Sequence, residues 1–461
     1  MADLPVPGSK LTDETSLAAS IPGPVHEIMG LLWSAGHAAY LVGGSLRDAL
    51  LGRPAFDWDL ATDARPDEML RVFPEAVYEN AFGTVVVRHG GGLYEVTTFR
   101  TDHDYADYRR PHRVEFGDSV EVDLARRDFT VNALAWGAPA GTRPALVDPH
   151  GGRDDIAART LRAVGEPRER FEEDALRMVR AVRLAATLGF TIEPATLAGI
   201  TANADLVRYL SGERISTELS KLLAAERPSA GLRLLADSGL LERIAPELAR
   251  QRGVPQNKVP GEDLWDHTVR TVDAARVDRP VVRLAALLHD IGKPATYSDG
   301  HFLGHDVVGA ELAGELLDAL RSPRAVRERV VHLVRHHMFS YEPAWSDTAV
   351  RRFIGKIGAN AVDDLFALRE ADNVGSGLPA GAGELDVLRE RVEGELAAEV
   401  VLDRSRLQID GQDLIEELGL RQGPLLGRIL DELVERVIVD PKLNDRATLL
   451  LLARSRIADE A

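Results

Sequence analysis

The chain has 461 residues, 45% of them hydrophobic and 28% charged, with a formal net charge of −18 and no cysteine. That length exceeds one ordinary core and predicts two to four domains. The lack of cysteine excludes disulfides and thiolate metal sites, no apolar run approaches the roughly 18 residues that would cross a membrane, and the acidic balance argues against indiscriminate nucleic-acid binding.

Residues 1–24 are polar with Pro and Gly and lack the basic-then-apolar order of a signal peptide, so they are expected to form a flexible leader on a cytoplasmic protein. From residue 25 to 150 short strands and helices alternate. Residues 40–42 are apolar and β-prone, Gly43 and Gly44 permit a sharp turn, Ser45 is expected to cap the next helix, and Gly52 to end it. Backbone N–H groups at such a turn can hold a phosphate. Asp57 and Asp59 then stand two apart, so on a strand both carboxylates leave one face while Phe56, Trp58 and Leu60 turn to the core. Paired carboxylates, completed by substrate phosphate oxygens, are a common seat for Mg²⁺; a solvated edge strand is the alternative.

Residues 84–87 and 93–99, joined by His89-Gly90-Gly91-Gly92, read as a hairpin. If its second strand lies beside that of Asp59, Glu95 becomes a third acidic group there. Residues 100–111 are charged and aromatic without periodicity, which predicts a functional or mobile loop. Arg127, Asp128 and Asn132 come next, within one helical turn, suited either to sugar and phosphate contacts or to an ordinary salt-bridged helix start. Arginine is concentrated between Arg100 and Arg183, a basic strip on an acidic protein.

From 151 to 255 the pattern is helical. Asp174, Arg177 and Arg180 are spaced by three and predicted to share one stripe. Asp as acceptor beside Arg as donor matches the edge common to cytosine and adenine, an amino donor next to a ring-nitrogen acceptor; a plain intrahelical ion pair is the other reading. Residues 212–223 form an amphipathic helix with basic groups on its exposed face. Between 256 and 376 come His267, His289-Asp290, His305, His336-His337 and Asp372, and seven of the 13 histidines fall between His267 and His337. His and Asp clustered at the end of an apolar helix suit a divalent metal that activates water. A Gly/Pro/Ala-rich linker at 377–383 precedes amphipathic helices to residue 461.

Three segments in order carry a resemblance: Gly43-Gly44-x-x-Arg47-Asp48 with Asp57-x-Asp59, Arg126-Arg127-Asp128-Phe129-Thr130-x-Asn132-Ala133, and Glu173-Asp174-x-x-Arg177-x-x-Arg180. Over residues 41–450 the chain resembles the bacterial class II tRNA nucleotidyltransferase and poly(A) polymerase family, specifically CCA-adding members fused to an HD phosphohydrolase domain. The resemblance implies an α+β fold: a polymerase-β-like head of mixed sheet and helices (25–150), then a helical neck (151–255), an HD domain (256–376) and a linker with a helical tail (377–461). It implies Mg²⁺ on Asp57 and Asp59, with Glu95 a third carboxylate. Gly43, Gly44 and Arg47 are implied at the phosphates, Arg127, Asp128 and Asn132 at the nucleotide, and Asp174 and Arg177, with Arg180, at the base of CTP or ATP. The loop 102–110 resembles the mobile loop of full CCA-adding members, and Arg214 and Lys221 are implied on the tRNA surface. His267, His289, Asp290 and Asp372 match the HD pattern and its divalent metal, with His305, His336 and His337 as further potential ligands. The implied reaction is template-independent addition of C, C and A to the tRNA 3′ end. The alternatives are a poly(A) polymerase, and an HD phosphohydrolase whose head is inert.

Overall fold

The computed structural model describes residues 11–78, 83–103, 113–256, 258–398 and 403–460. The chain forms two compact units, Met1–Ala249 and Arg250–Ala461. It is α+β: the strands of the described residues lie between Ala39 and Ile192, within the first unit, and helices make up most of the remaining chain.

The first unit is built on strands β1 (Ala39–Val42), β2 (Asp59–Thr62), β3 (Val77–Tyr78), β4 (Thr84–His89), β5 (Gly92–Thr98), β6 (Arg100–His103), β7 (Arg113–Phe116), β8 (Ala135–Ala138) and β9 (Ala145–Val147). Seven of them form one sheet in the order β3-β4-β5-β2-β1-β8-β9, antiparallel except where β2 runs parallel to β5. All four residues of β1 are buried, as expected of a central strand whose sequence is an unbroken apolar run. Tyr40, Val42, Ala61, Phe99, Leu124 and Ala135 pack together on one face.

Three expectations need correction. Residues 14–20 are not a loose leader: Asp13 caps a helix Glu14–Ser20, Leu17 is fully buried, and the backbone N–H of Thr12 donates to the Leu50 carbonyl at 3.0 Å. The isolated apolar residues of this stretch cover the head, which a reading for signal-peptide order could not reveal. Ser45 is not the N-cap of the next helix, Gly44–Leu50; that position belongs to Gly43, and Ser45 lies inside the first turn. The segment after residue 99 is not wholly loop, because β6 pairs with β7, Arg100 opposite Phe116. Residues 104–110 of the expected mobile loop lie outside the described residues.

The rest of the first unit is helical. Helix Leu176–Leu188 buries Met178, Val179, Ala181, Val182, Leu184, Ala185 and Leu188, packing on helices Gly212–Leu223 and Pro228–Asp237. Across the first of these contacts Arg183 meets Glu218 at 2.6 Å.

In the second unit helices Leu264–Ala274, Pro280–Leu288, His305–Ala319, Arg324–His336 and Val362–Gly375 pack around one buried centre. Gly292 permits a close backbone approach: a Cβ there would lie 2.3 Å from the His305 carbonyl oxygen, so only glycine lets that helix begin against the His289-Asp290 turn. The segment after Gly375 is pinned by Asn373, whose amide donates to the carbonyls of Ala380 and Ala382. Beyond it helices Gly411–Leu418, Pro424–Val439 and Arg446–Glu460 share a core of Leu414, Ile429, Leu433, Val437 and Leu449.

Candidate active site

Strand β1 ends at Val42 and the chain turns at Gly43, where φ is 80° and ψ −147°, a region open almost only to glycine. A Cβ at Gly43 would stand 3.3 Å from Arg127 Nη1 and 3.6 Å from Asp59 Oδ2, so the turn lies directly against both residues. Asp59 opens β2 opposite Val42. Because Leu60 lies beside Val96 in the parallel pairing of β2 with β5, Glu95 flanks Asp59 on the neighbouring strand. Asp57 precedes β2, its carbonyl accepting the Ser45 hydroxyl. Crowding by surrounding protein, then the like charge of Glu95 and, after the opposing pull of Arg127, that of Asp57, push the Asp59 carboxyl up to about 6 although its edge remains open to solvent. Asp57 and Asp59 line one cavity and Glu95 flanks Asp59 on the adjoining strand, and carboxylate oxygens are the donors a hard divalent cation takes.

The next wall is a hydrogen-bonded chain. Arg47 is buried at 7% exposure; it clasps Asp48 through Nε at 2.9 Å and donates through Nη1 to Asn132 Oδ1 at 2.6 Å. Asn132 in turn donates to Asp128 Oδ1 at 3.1 Å, and Asp128 pairs with Arg180 at 2.8 Å. Burial alone would raise Asp128, but the Arg180 guanidinium and the Asn132 amide hold it below the usual carboxylate range. Beneath this wall Asp123 is 1% exposed and takes Arg126 at 2.6 Å and Arg127 at 3.2 Å.

Asp174 does not lie on a continuous helical stripe with Arg177. Helix Pro167–Glu173 stops, Asp174 takes extended angles of −144° and 105°, and a new helix begins at Leu176. Its Oδ1 accepts the Leu176 N–H at 3.0 Å and its Oδ2 accepts Arg214 Nη2 at 2.7 Å. Arg177 is held by Glu173 at 2.6 Å and by the Arg126 carbonyl at 2.9 Å. The acid and the base expected to act together are thus each fixed by other partners. Arg214, expected on an RNA surface, clamps Asp174; Lys221 lines the same cavity.

That cavity, of about 870 Å³, is lined by Gly43, Gly44, Arg47, Asp57, Asp59, Arg127, Asp128, Asn132, Asp174, Arg177, Arg180, Arg214 and Lys221 among others. Eight arginines and one lysine face five aspartates around it, a cationic excess within a chain of net charge −18. Arg180 is within electrostatic reach of both Asp59 and Asp174, linking the two groups of acids. A phosphate-bearing substrate with a polar base fits this lining.

In the second unit His267, His289, Asp290 and Asp372 come together as expected. His267 Nε2 lies 3.1 Å from His289 Nε2, 3.4 Å from Asp290 Oδ2 and 3.3 Å from Asp372 Oδ1. The other oxygen, Asp290 Oδ1, faces His305 Nε2 at 3.5 Å and His337 Nε2 at 3.6 Å. His305 and His337 therefore join the centre, while His336 points elsewhere and meets His332 edge to face with centroids 4.6 Å apart. Sequence spacing did not separate the two adjacent histidines; the end of helix Arg324–His336 does, since His337 caps it.

The tautomers are fixed by acceptors. Nδ1 of His289, His305 and His337 meets the carbonyls of Ala286, Phe302 and Val334 at 2.8, 2.7 and 2.6 Å, so each Nδ1 carries hydrogen and each Nε2 presents a lone pair inward. His305 and His337 then confront each other Nε2 to Nε2 at 3.3 Å, which is repulsive unless a proton or cation lies between. Burial lowers the basicity of His289 and His305. Asp290, despite burial, is held well below the usual range by His289 and by Lys293, whose Nζ is 2.6 Å away. Two donor groups sharing Asp290 result, His267–His289–Asp290 and Asp290–His305–His337, and both suit a divalent cation.

Comparison with known proteins gives a consistent result. Residues 39–162 match the profile described as "Poly A polymerase head domain", residues 189–252 that of "Probable RNA and SrmB- binding site of polymerase A", and residues 239–375 the HD domain. A CCA-adding enzyme of Geobacillus stearothermophilus is 34% identical over 446 residues, 95% of this chain and 99% of the relative. One from Levilactobacillus brevis is 34% identical over 92% of this chain and 95% of its own length. The crystal structure of the Bacillus stearothermophilus CCA-adding enzyme in complex with CTP superposes with a TM-score of 0.70 at 31% identity, covering 95% of this chain and 99% of that one. A Thermotoga maritima CCA-adding enzyme, at 19% identity and a TM-score of 0.58, shares the fold over 97% of this chain and 100% of its own. No helix among the described residues is long and apolar enough to cross a membrane.

Proposed function

We infer the function from one premise: the chain belongs to the family of CCA-adding enzymes. It adds C, C and A to the 3′ end of tRNA, drawing on CTP and ATP without a nucleic-acid template. The observation that carries this reading is that Asp57 and Asp59 share a single cation-rich cavity with Asp174 and Arg177. Chemistry and base choice therefore have separate residues within one substrate's reach.

Asp57 and Asp59, with Glu95 beside them, would hold Mg²⁺, which when bound acidifies the tRNA 3′-hydroxyl and offsets charge on the triphosphate. The backbone at Gly43 and Gly44 leaves room for phosphate oxygens, and Arg127 neutralises them from the adjoining wall. Asn132 and Asp128, fixed by Arg47 and Arg180, suit the sugar hydroxyls. The Asp174 carboxylate accepts from the exocyclic amine of cytosine or adenine, and Arg177 donates to the neighbouring ring nitrogen; uracil and guanine present the reverse order. Arg214 acts on base choice through Asp174. Lys221 serves phosphates of the RNA end.

The HD centre is a metal-dependent phosphohydrolase. His267, His289, Asp290, His305, His337 and Asp372 supply its ligands, and Lys293 offers a charge for a phosphate oxygen. Incubating the protein with tRNA lacking CCA, Mg²⁺ and each labelled nucleoside triphosphate tests the main reading. CMP should enter twice and AMP once, with UTP and GTP excluded. Repeated AMP addition to unrelated RNAs would replace it with poly(A) synthesis, and no incorporation would end it.

A further inference from the structure

Phe56 departs from its predicted place. Alternation puts its ring in the core with Trp58 and Leu60, which are 6% and 1% exposed; Phe56 is 84% exposed. The reason is local: residues 53–58 have no regular structure, and the pleat of β2 begins only at Asp59. The segment is nonetheless anchored at both ends. The Arg53 N–H donates to the Asp48 carbonyl at 2.8 Å and its guanidinium to the Leu188 carbonyl at 3.2 Å, while the Asp57 carbonyl takes the Ser45 hydroxyl. Between these anchors the ring is presented to the cavity, and it is the sole aromatic side chain among the described residues that line it.

An exposed ring in a pocket lined mainly by charged and polar residues has one evident use with nucleic acid. Nucleobases of any identity stack on aromatic faces, and single-stranded ends are gripped in this way. Two bases reach this cavity under the function proposed above, on which the present inference rests. The incoming base is served by Asp174 and Arg177. Phe56 instead adjoins Asp57, at the reacting end where the attacking 3′-hydroxyl must arrive. We propose that Phe56 is the stacking platform for the 3′-terminal base of the RNA being extended, a positioning residue that holds the end of the primer irrespective of its sequence.

The test is a thermodynamic cycle measured by equilibrium anisotropy with full-length protein and no nucleotide present. One RNA is tRNA lacking CCA; the other is the same tRNA with an abasic 3′-terminal nucleotide. Loss of a stacked base costs on the order of tenfold in affinity. Wild type should bind the abasic RNA about tenfold more weakly, whereas Phe56→Ala should show less than a twofold difference between the two RNAs, and Phe56→Trp should restore the gap. Because the ring is exposed, the Tm of Phe56→Ala should match wild type. An equal abasic penalty in wild type and Phe56→Ala overturns the proposal. So does a raised KM for CTP in Phe56→Ala with the abasic penalty intact, which assigns the ring to the incoming base. Failure of wild type to add nucleotides would refute the function proposed above, yet the binding cycle would still decide the role of Phe56.

Discussion

A carboxyl whose pKa is near 6 cannot ligate a cation at pH 5 without giving up a proton, and Asp59 is such a group. Crowding by surrounding protein and the adjacent Glu95 raise it from 3.8 to about 6. The protonated form therefore dominates below pH 6, and cation binding must displace that proton. Mg²⁺ affinity of the head should hold steady above about pH 7 and fall as pH drops through 6, approaching one decade per pH unit at the low end. Calorimetric titration at several pH values measures this, and Glu95→Gln, which removes a like charge, should move the midpoint downward. A flat profile between pH 5 and 7.5 would contradict the assignment of Asp59 as a ligand. At the choosing end, Asp174→Ala and Arg214→Ala should both narrow the CTP-over-UTP ratio of kcat/KM, on the order of tenfold for a lost charge-assisted hydrogen bond. Arg214→Lys should recover only part, because one ammonium does not reproduce the guanidinium fork. Sharp discrimination in Arg214→Ala would return Arg214 to the role of a simple phosphate contact.

Elements decide which of these residues meet, and they were legible to different degrees. The run Tyr40-Leu41-Val42 before two glycines announced a buried strand and a turn, and both are present. Gly43 is indispensable at that turn, since φ of 80° with ψ of −147° strains any other residue and a side chain would crowd Arg127 and Asp59. Gly43→Ala should lower unfolding stability by about 1–3 kcal/mol and suppress nucleotide transfer, as urea melts and incorporation assays would record. The pairing that brings Glu95 beside Asp59 could be stated only as a condition, because strand order is a tertiary choice. The break at Asp174 was invisible. Glu172-Glu173-Asp174-Ala175 is helix-compatible by propensity, yet Asp174 is extended, with one oxygen on the Leu176 N–H and the other on Arg214, a partner 40 residues away. Phe56 escapes the alternation for a related reason: a two-residue alternation holds only inside a paired strand, and pairing starts at Asp59. His305 and His337 depend likewise on helix termini that no periodicity locates.

At the scale of the whole molecule, each of the two compact units contains a complete constellation. The cavity residues all lie between Gly43 and Lys221, within the first unit, and the donors of the histidine centre between His267 and Asp372, within the second. Net charge of −18 is compatible with an RNA substrate because eight arginines and a lysine line the cavity, so attraction there is local against an acidic whole. Since the named residues of each constellation come from one unit, the two chemistries should separate cleanly by mutation. Asp57→Ala should abolish CMP incorporation, a loss of at least about a thousandfold for a removed metal ligand and its share of transition-state charge, and leave divalent-metal-dependent hydrolysis of bis(p-nitrophenyl) phosphate within twofold of wild type. Asp290→Asn should do the converse. It removes the carboxylate charge that both histidine pairs share, so metal content measured by mass spectrometry should fall in the second unit while tRNA extension persists. Loss of hydrolysis in Asp57→Ala would mean that the histidine centre is not an independent catalyst, and loss of extension in Asp290→Asn would mean that the helical unit must be metal-bound to present tRNA to the head.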